Sequence, residues 1–428
     1  MENNTAYEDS VKSLYGLQKF GIKFGLSKTE NLLEAFGNPH VGRRFIHLAG
    51  TNGKGSTAAF MASVLREAGL KVGLYTSPHL VRFTERFLIN GKEMTQDEAH
   101  GLIQEMNSVF STEEPPTFFE ATTAMALVYF ARENTDIDIM EVGMGGRLDA
   151  TNIIQPMVCG ITNISMEHRE YLGNTLVEVA GEKAGIIKEG VALITAATQQ
   201  KVLKVFEETA RKKDAPFRKV GKDIRYRNGA AGLSFHGMNW KMEKLQLGLP
   251  GKFQARNGAL ALGMLEVLHE KGIPIPETAI RDGMRKVTWP GRMQIVSRNP
   301  TIMLDGAHNP GAARALADSI GRNSGYRRII LIVGIMGDKE ISKVLRPTVS
   351  LADYVFYTRP TYWRAAAPEA LIQKAAFLGK PGETVPELIT AISKATQMAE
   401  AEDLILITGS LFTVGEALAH FQGTRPDF

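Results

Sequence analysis

A glycine-rich loop between an apolar run and an amphipathic segment constrains the fold of this chain more than any other feature. Residues 46–57 have the sequence IHLAGTNGKGST. The residues at 44–48 end in an apolar run that favours a buried strand, and residues 56–67 carry apolar side chains at helical spacing. A strand that enters a helix through such a loop is typical of α/β folds. We therefore predict that the loop lies at the N-terminus of a helix.

The composition of this loop indicates a polyphosphate ligand. The first N–H groups of a helix have no intrahelical partner, and glycines without a Cβ let a phosphate approach them. Lys54 is predicted to reach the terminal phosphates, and the hydroxyl of Ser56 or Thr57 to bind Mg²⁺. Only Thr51 and Asn52 stand where the common pattern has four residues, so this loop is a variant. The alternative is a glycine-rich turn with a solvated lysine.

The whole chain has the composition of a soluble globular protein. Its 428 residues suffice for two or three domains, and 44% of them are hydrophobic. Fifty Lys and Arg against 46 Asp and Glu leave a charge of +4 without a basic block, so no nucleic-acid partner is expected. The apolar stretch near 329–336 is far shorter than the roughly 20 residues that span a bilayer. We expect a cytoplasmic monomer with no membrane partner, in which Cys159 is a buried core residue rather than a catalytic thiol.

Two α/β domains are predicted from the order of the elements. Apolar strands and helical segments alternate over residues 44–200, which predicts a mostly parallel sheet covered by helices. Residues 217–249 alternate between apolar and polar positions and contain turn signals, so they predict an antiparallel β excursion. We place the boundary near residue 295, between a phosphate-loop domain at 1–295 and a smaller Rossmann-like domain at 296–428. In the second domain we expect strands at 301–304, 329–333, 353–357 and 404–407.

Polar residues directly follow several predicted strands of the first domain. Ligands collect at the carboxyl ends of parallel strands, so these residues are expected to lie at one edge of the sheet. Ser77, Glu141 and His168 offer a hydroxyl, a carboxylate and an imidazole, which suit Mg²⁺ or Mn²⁺. Each also has a structural alternative, since Ser77 could cap the next segment, Glu141 could pair with Arg147, and His168 could be hydrogen-bonded at a helix start.

Four longer motifs then make the chain recognisable: GTNGKGS at 50–56, YTSPHL at 75–80, EVGMGGRLDATN at 141–152 and LDGAHNP at 304–310. With these motifs in this order, the chain resembles the folylpolyglutamate synthase/dihydrofolate synthase family of the Mur ligase superfamily, roughly over residues 15–416. The resemblance implies an ATP-dependent amide ligase that acts on dihydropteroate and reduced folates. A substrate carboxylate would attack the γ-phosphate to give an acyl phosphate, from which the amino group of L-glutamate displaces phosphate.

The resemblance also assigns roles to residues around the loop. It assigns to the ATP phosphates the residues Asn52, Gly53, Lys54, Gly55 and Ser56. It implies that Ser77 and Glu141 hold a first Mg²⁺ and His168 a second, with Mn²⁺ as an alternative metal. It further implies that Lys183 carries a carbamate, because a buried lysine with a lowered pKa can take up CO₂ and become an anion beside a metal. From the residues alone, Lys183 would be an exposed helix lysine.

Further residues are assigned to the nucleotide and to glutamate. In the family motif, Asn257 beside Gln254 faces the adenine, and Arg292 and Asp305 contact ATP from across the predicted boundary, so both domains are expected to hold one nucleotide. His308 and Ser410 are implied for the phosphate and glutamate region. Arg86 is implied for a glutamate carboxylate, which its guanidinium suits. A turn hydrogen bond, a helix cap and a surface ion pair are the alternatives for His308, Ser410 and Arg86.

The folate pocket is the least specific part of the resemblance. The positions implied for it are Phe24, Gly25, Leu26, Phe118, Phe119, Glu120, Leu148, Asp149 and Ala150. The two phenylalanines at 118–119 could stack on a pterin, although adjacent aromatics are more often core residues. Ser27 stands where relatives usually have an acid, and 166–168 is MEH instead of LDH.

Two other functions remain open at this point. A ligase that joins amino acids to UDP-muramoyl substrates would have about a hundred residues before the loop, whereas only 49 precede Gly50. A phosphate-loop protein that uses ATP as a conformational switch would have the common loop spacing, and it does not explain the motif at 304–310.

Overall fold

The computed structural model describes residues 2–21, 25–110, 114–321 and 325–428. The chain forms two compact units. The first comprises Met1–His79, Phe83–Gly248 and Gln254–Val287, and the second comprises Leu80–Arg82, Leu249–Phe253 and Thr288–Phe428. The boundary expected near residue 295 thus falls inside a strand of the second unit, and two short segments from earlier in the chain also belong to that unit.

The first unit is built on a mostly parallel sheet, as the alternation of strands and helices predicts. Its strands are β1 Phe45–Ala49, β2 Val72–Tyr75, β3 Phe87–Ile89, β4 Lys92–Glu93, β5 Ile137–Glu141, β6 Pro156–Ile161, β7 Leu193–Thr195 and β8 Phe217–Lys219. Their order is β4-β3-β2-β5-β1-β6-β7-β8, and only the β2–β3 and β3–β4 pairs are antiparallel. The ends of β2, β5, β1 and β6 are therefore neighbours at the carboxyl edge.

A small antiparallel sheet follows, although it is shorter than the sequence predicts. Its strands are β9 Arg225–Gly229, β10 Gly232–His236 and β11 Lys241–Leu245, paired in the order β11-β10-β9. Strand β8, expected in this excursion, pairs in parallel with β7 instead. It follows β7 through a helix, and such a connection places it in the main sheet.

Helices cover the main sheet of the first unit. They are α1 Glu2–Gly16, α2 Ser27–Ala35, α3 Lys54–Glu67, α4 Gln96–Val109, α5 Phe118–Arg132, α6 Arg169–Leu172, α7 Leu176–Ala184, α8 Gln200–Lys212, α9 Gln254–Glu270 and α10 Glu277–Lys286. Short 3₁₀ helices lie at Leu17–Phe20, Phe83–Arg86 and Ala150–Ile153. One buried cluster joins α1, α4 and α5 to β2, and another joins α7 and α8 to β6 and β7.

The second unit has its own mostly parallel sheet. Its strands are β12 Gln294–Arg298, β13 Thr301–Asp305, β14 Ile329–Val333, β15 Tyr354–Arg359, β16 Gly382–Glu387 and β17 Leu404–Thr408, in the order β12-β13-β17-β14-β15-β16. Its helices are α11 Pro310–Ile320, α12 Ile341–Leu351, α13 Pro368–Ala375, α14 Leu388–Met398 and α15 Leu411–Gln422, with a 3₁₀ helix at Ala376–Leu378. The four strands expected from the sequence are present, and the two edge strands, β12 and β16, were not expected.

Two expectations from composition can be compared with the structure. Among the described residues, no helix combines the length and the apolar character needed to cross a membrane. Cys159 is fully buried, and its Sγ donates to the carbonyl oxygen of Ile186 at 3.1 Å. Burial raises the pKa of this thiol to about 12. The expectation of a buried core cysteine is confirmed.

Candidate active site

The glycine-rich loop joins β1 to α3, as the sequence predicts. Gly50 follows the strand with φ 138°, and Gly53 precedes the helix in the left-handed region with φ 90°. A Cβ on Gly50 would overlap Oγ1 of Thr162, and one on Gly53 would lie 2.5 Å from Oδ1 of Asn257. Both the backbone conformation and the close neighbours therefore require glycine. The first N–H groups of α3 begin at this point, and a helix N-terminus favours an anion.

The segment after β6 fixes the middle of the loop. The backbone N–H of Thr51 donates to the carbonyl oxygen of Asn163, and that of Asn52 donates to the Asn163 side-chain oxygen, both at 2.9 Å. The Thr51 hydroxyl and the backbone of Ser165 bond to each other in both directions, at 3.3 and 3.1 Å. No pattern in the sequence singles out Asn163, because its role depends on β1 and β6 being neighbours in the sheet.

Lys54 lies against the loop and beside a buried acid. Its Nζ donates to the carbonyl oxygen of Gly50 at 3.1 Å and lies 3.7 Å from Oε1 of Glu141. Glu141 ends β5, next to β1 in the sheet, and is buried. The alternative pairing of Glu141 with Arg147 is not found, because Arg147 pairs with Glu182 at 2.9 Å. The structure thus brings the predicted phosphate lysine and the predicted metal carboxylate together.

A second lysine enters the same place from α7. Lys183 is 1% exposed, and its Nζ donates to the carbonyl oxygen of Gly50 at 3.1 Å and to Oε1 of Glu167 at 2.8 Å. Burial lowers the pKa of the Lys183 amine, against the opposing effect of Glu167. Burial opposes ionisation of Glu167, but the charges of Lys183 and Lys54 outweigh it and lower the pKa of this carboxyl to about 2. Lys183 is therefore not the exposed helix lysine that its sequence context favours.

Hydrogen bonds extend the site to α9. The side-chain nitrogen of Gln254 donates to the Ser56 hydroxyl at 3.2 Å, and that of Asn257 donates to the Gln254 oxygen at 2.8 Å. All three side chains are buried. A residue 198 positions away in the sequence thus orients the loop serine that we predicted for phosphate or Mg²⁺.

The remaining predicted metal ligands differ in burial. Ser77 is half-buried, two residues beyond the end of β2, and β2 is adjacent to β5. His168 is exposed and has φ 45° just before α6. No group of three or more His, Cys, Asp or Glu suited to a metal occurs in the part of the chain that the structure describes. A metal at Glu141 would therefore depend on hydroxyl, phosphate and water oxygens, which are the ligands that Mg²⁺ takes in nucleotide sites.

A buried cluster lies beside the end of β2. Nε of Arg86 donates to Nδ1 of His79 at 2.9 Å, and Nε2 of His79 lies 3.1 Å from the hydroxyl of Tyr15. The Arg86 guanidinium lies 5.1 Å from the centre of the Phe118 ring, and Tyr15 stacks on the same ring at 5.2 Å. Burial, reinforced by the charge of Arg86, holds the pKa of His79 well below its usual value. Arg86 is 6% exposed, so it is not the surface residue of the alternative interpretation.

Asp149 and Glu120 are buried acids that order the backbone around them. Asp149 accepts from the N–H groups of Met144 and Thr151 at 2.9 and 3.0 Å, and burial raises the pKa of its carboxyl. Glu120 accepts from the N–H of Thr117 at 2.7 Å in a capping box that starts α5. Both were predicted for the folate pocket. In the structure, each carboxylate accepts hydrogen bonds from backbone N–H groups close to it in the sequence.

The other predicted pocket residues have varied surroundings. Phe119 is partly buried, with Tyr75 at 6.1 Å between ring centres. Leu148, Gly25 and Leu26 are half-buried and Ala150 is buried. Phe24 lies outside the described residues.

The second unit holds the last predicted residues. Asp305 ends β13 and accepts from the N–H groups of Met293 and Ala307 at 3.0 and 2.9 Å. Burial raises the pKa of this carboxyl, and the nearby Arg292 opposes the rise. Nδ1 of His308 lies 2.9 Å from the carbonyl oxygen of Gly306. Ser410 caps α15, accepting from the N–H of Thr413 at 2.9 Å.

Comparisons with known proteins identify the family of this chain. Residues 48–265 match the Mur ligase middle domain, and residues 291–411 match the Mur ligase glutamate ligase domain. The dihydrofolate synthase/folylpolyglutamate synthase of Bacillus subtilis is 34% identical over 96% of this chain and 98% of its own. The chain belongs to the folylpolyglutamate synthase/dihydrofolate synthase family of Mur ligases.

Solved structures of this family have the same fold. E. coli FolC in complex with DHPP and ADP superposes with a TM-score of 0.89 at 32% identity, covering 97% of this chain and 98% of that one. The bifunctional folylpolyglutamate synthase/dihydrofolate synthase of Yersinia pestis, complexed with AMPPNP and Mn ion, gives a TM-score of 0.85 at 29% identity, with 96% of each chain covered. The fold class predicted from the sequence is therefore confirmed.

Proposed function

We propose that this chain is an ATP-dependent ligase that adds L-glutamate to dihydropteroate and to reduced folates. Family membership supports this reaction, and one observation in the structure of this chain supports it further. Lys54 and Lys183 both contact the carbonyl oxygen of Gly50, with Glu141 and Glu167 beside them. Such a set of charges suits the joining of anionic reactants, which repel each other unless they are neutralised and positioned.

The reaction proceeds in two steps. A carboxylate oxygen of the folate substrate attacks the γ-phosphorus of ATP, the bond from this phosphorus to ADP breaks, and an acyl phosphate forms. The amino group of L-glutamate then attacks the acyl carbon, the bond to phosphate breaks, and the amine loses a proton. Lys54 and the N–H groups at the start of α3 hold the phosphate oxygens and offset their charge in both steps. No protein nucleophile is needed.

A divalent cation fits the end of β5. We propose that the Glu141 carboxylate and the Ser77 hydroxyl hold Mg²⁺ or Mn²⁺ with phosphate oxygens, and that His168 serves a second ion. Glu141 is a buried carboxylate at the end of a strand next to the loop strand, and both it and Ser77 are hard oxygen donors. The ion, when bound, polarises the γ-phosphate and neutralises its charge.

We further propose that Lys183 is carbamylated. The amine nitrogen would bond to the carbon of CO₂, one carbon–oxygen π bond would become a carboxylate, and a proton would leave to water. This step requires a neutral amine, and burial lowers the pKa of Lys183 in the direction that supplies one. Protein incubated with ¹³C-bicarbonate should show a bound carbamate resonance that K183R lacks. Short carboxylic acids should partly restore the activity of K183A, and failure of both tests would remove the proposal.

Within each unit, further residues are proposed for the substrates. In the first unit these are Asn257 for the nucleotide, Arg86 for glutamate, and the pocket positions Gly25, Leu26, Phe118, Phe119, Leu148 and Ala150 for the pterin. Asp149 and Glu120 would support this pocket through their turns. In the second unit we propose Arg292 and Asp305 for the nucleotide, and His308 and Ser410 for phosphate and glutamate. The positive charge of Arg292 opposes the rise that burial gives to the pKa of the Asp305 carboxyl.

An assay of phosphate release tests the function. Phosphate should appear only when ATP, L-glutamate and a pteroate or folate acceptor are all present, and the product should contain one more glutamate. Competition between dihydropteroate and tetrahydrofolate would show whether both activities occur. Equal release with a UDP-muramoyl acceptor, or with no acceptor, would overturn the assignment. Sedimentation and cell fractionation test the remaining proposal, a cytoplasmic monomer.

A further inference from the structure

Arg86 is a buried cation that lacks an acidic partner among the residues that the structure describes. Its polar contact is to a histidine ring, and its guanidinium face lies near an aromatic ring. A buried charge without a counter-charge is costly, and the cost is relieved when an anion binds. Only Nε of Arg86 is used by His79, so the two terminal nitrogens can form a fork for a carboxylate.

The neighbours of Arg86 fix both its direction and the form of His79. An arginine Nε only donates, so Nδ1 of His79 must accept and carry no proton. The proton of the neutral ring then lies on Nε2, which donates to the Tyr15 hydroxyl. This hydrogen-bond chain therefore selects one tautomer, and that tautomer is the one that can hold Arg86.

Four separate elements contribute to this arrangement. Tyr15 is on α1, His79 follows β2, Arg86 ends a 3₁₀ helix and Phe118 begins α5. The stacked ring of Tyr15, 7° from parallel with Phe118, fixes the position of its hydroxyl. A residue held from this many directions loses little freedom when a ligand binds, and such preorganisation raises affinity.

We propose that His79 is a positioning residue that, held by Tyr15, aims the terminal nitrogens of Arg86 at a carboxylate of the incoming L-glutamate. The proposal rests on the ligase function above. It gives the two residues different roles: Arg86 contacts the substrate, and His79 acts only through Arg86.

A double-mutant cycle tests these roles. The variants are R86A, H79A and the pair, and the readouts are KM for L-glutamate, KM for ATP and kcat. We expect KM for glutamate to rise about 100-fold in R86A and about 10-fold in H79A, with KM for ATP within about twofold of the wild type. In the R86A background, H79A should add almost nothing, because residues that act through one contact are not additive.

Two conservative variants and one control separate positioning from folding. H79N keeps an acceptor near the place of Nδ1 and should restore most of the glutamate affinity, whereas H79Q should not. The control is His100→Asn, which removes another histidine bonded to α1, through Ser10 at 2.8 Å, and should leave KM for glutamate unchanged. Additive effects in the cycle, or equal losses in H79N and H79A, would overturn the role of His79.

The same data distinguish failure of this inference from failure of the proposed function. If R86A binds glutamate normally, or if the loss appears in KM for the folate acceptor instead, Arg86 has another ligand and the inference fails while the ligase assignment stands. If the wild-type protein shows no glutamate-dependent phosphate release, the proposed function itself fails.

Discussion

The side-chain nitrogen of Lys183 lies 2.8 Å from Oε1 of Glu167 and 3.1 Å from the carbonyl oxygen of Gly50. This contact joins α7 to the phosphate loop and to the segment after β6. Both charged groups are largely removed from water, so each of them depends on the other to offset its charge. Removing one partner leaves a buried charge unpaired, which is typically more costly than never having had the pair.

In protein kept free of CO₂, in which Lys183 is an unmodified amine paired with Glu167, Glu167→Gln should reduce stability in a pH-dependent way. The pKa of Glu167 is about 2 in the folded chain and 4.5 in the unfolded reference. Its ionised form therefore contributes stability that is fully present above pH 4.5 and is lost as the pH falls towards 2. The contribution is on the order of 3 kcal/mol. Urea unfolding at pH 7 should show a large gap between wild type and E167Q, and the gap should narrow near pH 3.

An exposed acid serves as the control for this experiment. Asp282 pairs with Arg285 on the surface of α10, with the carboxylate side chain 46% exposed. Asp282→Asn should change the free energy of unfolding little at either pH, because water screens such pairs. A gap for E167Q that is the same at pH 7 and pH 3 would contradict an ionised Glu167.

Substituting two glycines that have the same φ distinguishes the cost of backbone strain from an effect on nucleotide binding. Gly53 and Gly69 both have φ 90°, but a Cβ on Gly69 meets nothing within 4 Å, whereas one on Gly53 meets Asn257. Gly69→Ala should lose about 1–2 kcal/mol of stability from the left-handed conformation, and Gly53→Ala at least as much, because its Cβ also displaces the Asn257 side chain. Only G53A should also weaken nucleotide binding, by roughly tenfold or more. The shift of Tm on adding ADP measures this difference, and equal shifts in both variants would contradict the loop assignment.

Lys54→Ala should reduce kcat by at least about 10²–10³-fold, the typical loss when one donor to developing charge is removed. The variant also leaves Glu141 without its cation at 3.7 Å, so circular dichroism must confirm folding. Lys271→Ala is the matched control, since this exposed lysine bonds a carbonyl oxygen, that of Met157, outside the site. Turnover by K54A at the wild-type rate would remove Lys54 from the phosphate site.

Much of the site was predictable because it is encoded locally. The β1–loop–α3 connection lies within a single continuous stretch, and Glu141 ends a strand whose apolar run is visible in the sequence. The partners of these residues were not predictable. Asn163 contacts a loop residue 111 positions earlier, and Gln254 contacts one 198 positions earlier. Only the sheet order β5-β1-β6 and the placement of α9 bring them together.

The burial and pairing of particular residues could not be predicted from the sequence either. Lys183 occupies a helix whose sequence includes polar and charged residues, yet the last turn of α7 packs behind the phosphate loop, and the lysine is 1% exposed. Strand β8 is only three residues long, too short for a periodic pattern, so its parallel pairing with β7 depended on tertiary contacts. The motifs therefore identify which residues matter, and packing decides what each of them contacts.

The one cysteine provides a test of the packing around β6. Cys159 is fully buried and burial raises its pKa to about 12, so the reactive thiolate is scarce and inaccessible at pH 8. In the native protein, a thiol reagent such as Ellman's reagent should react at least about 100-fold more slowly than with an exposed thiol. In denaturant it should report one thiol for each chain. The rate should follow global unfolding as urea is added, and rapid stoichiometric labelling of the native protein would contradict the burial of β6 between β1 and β7.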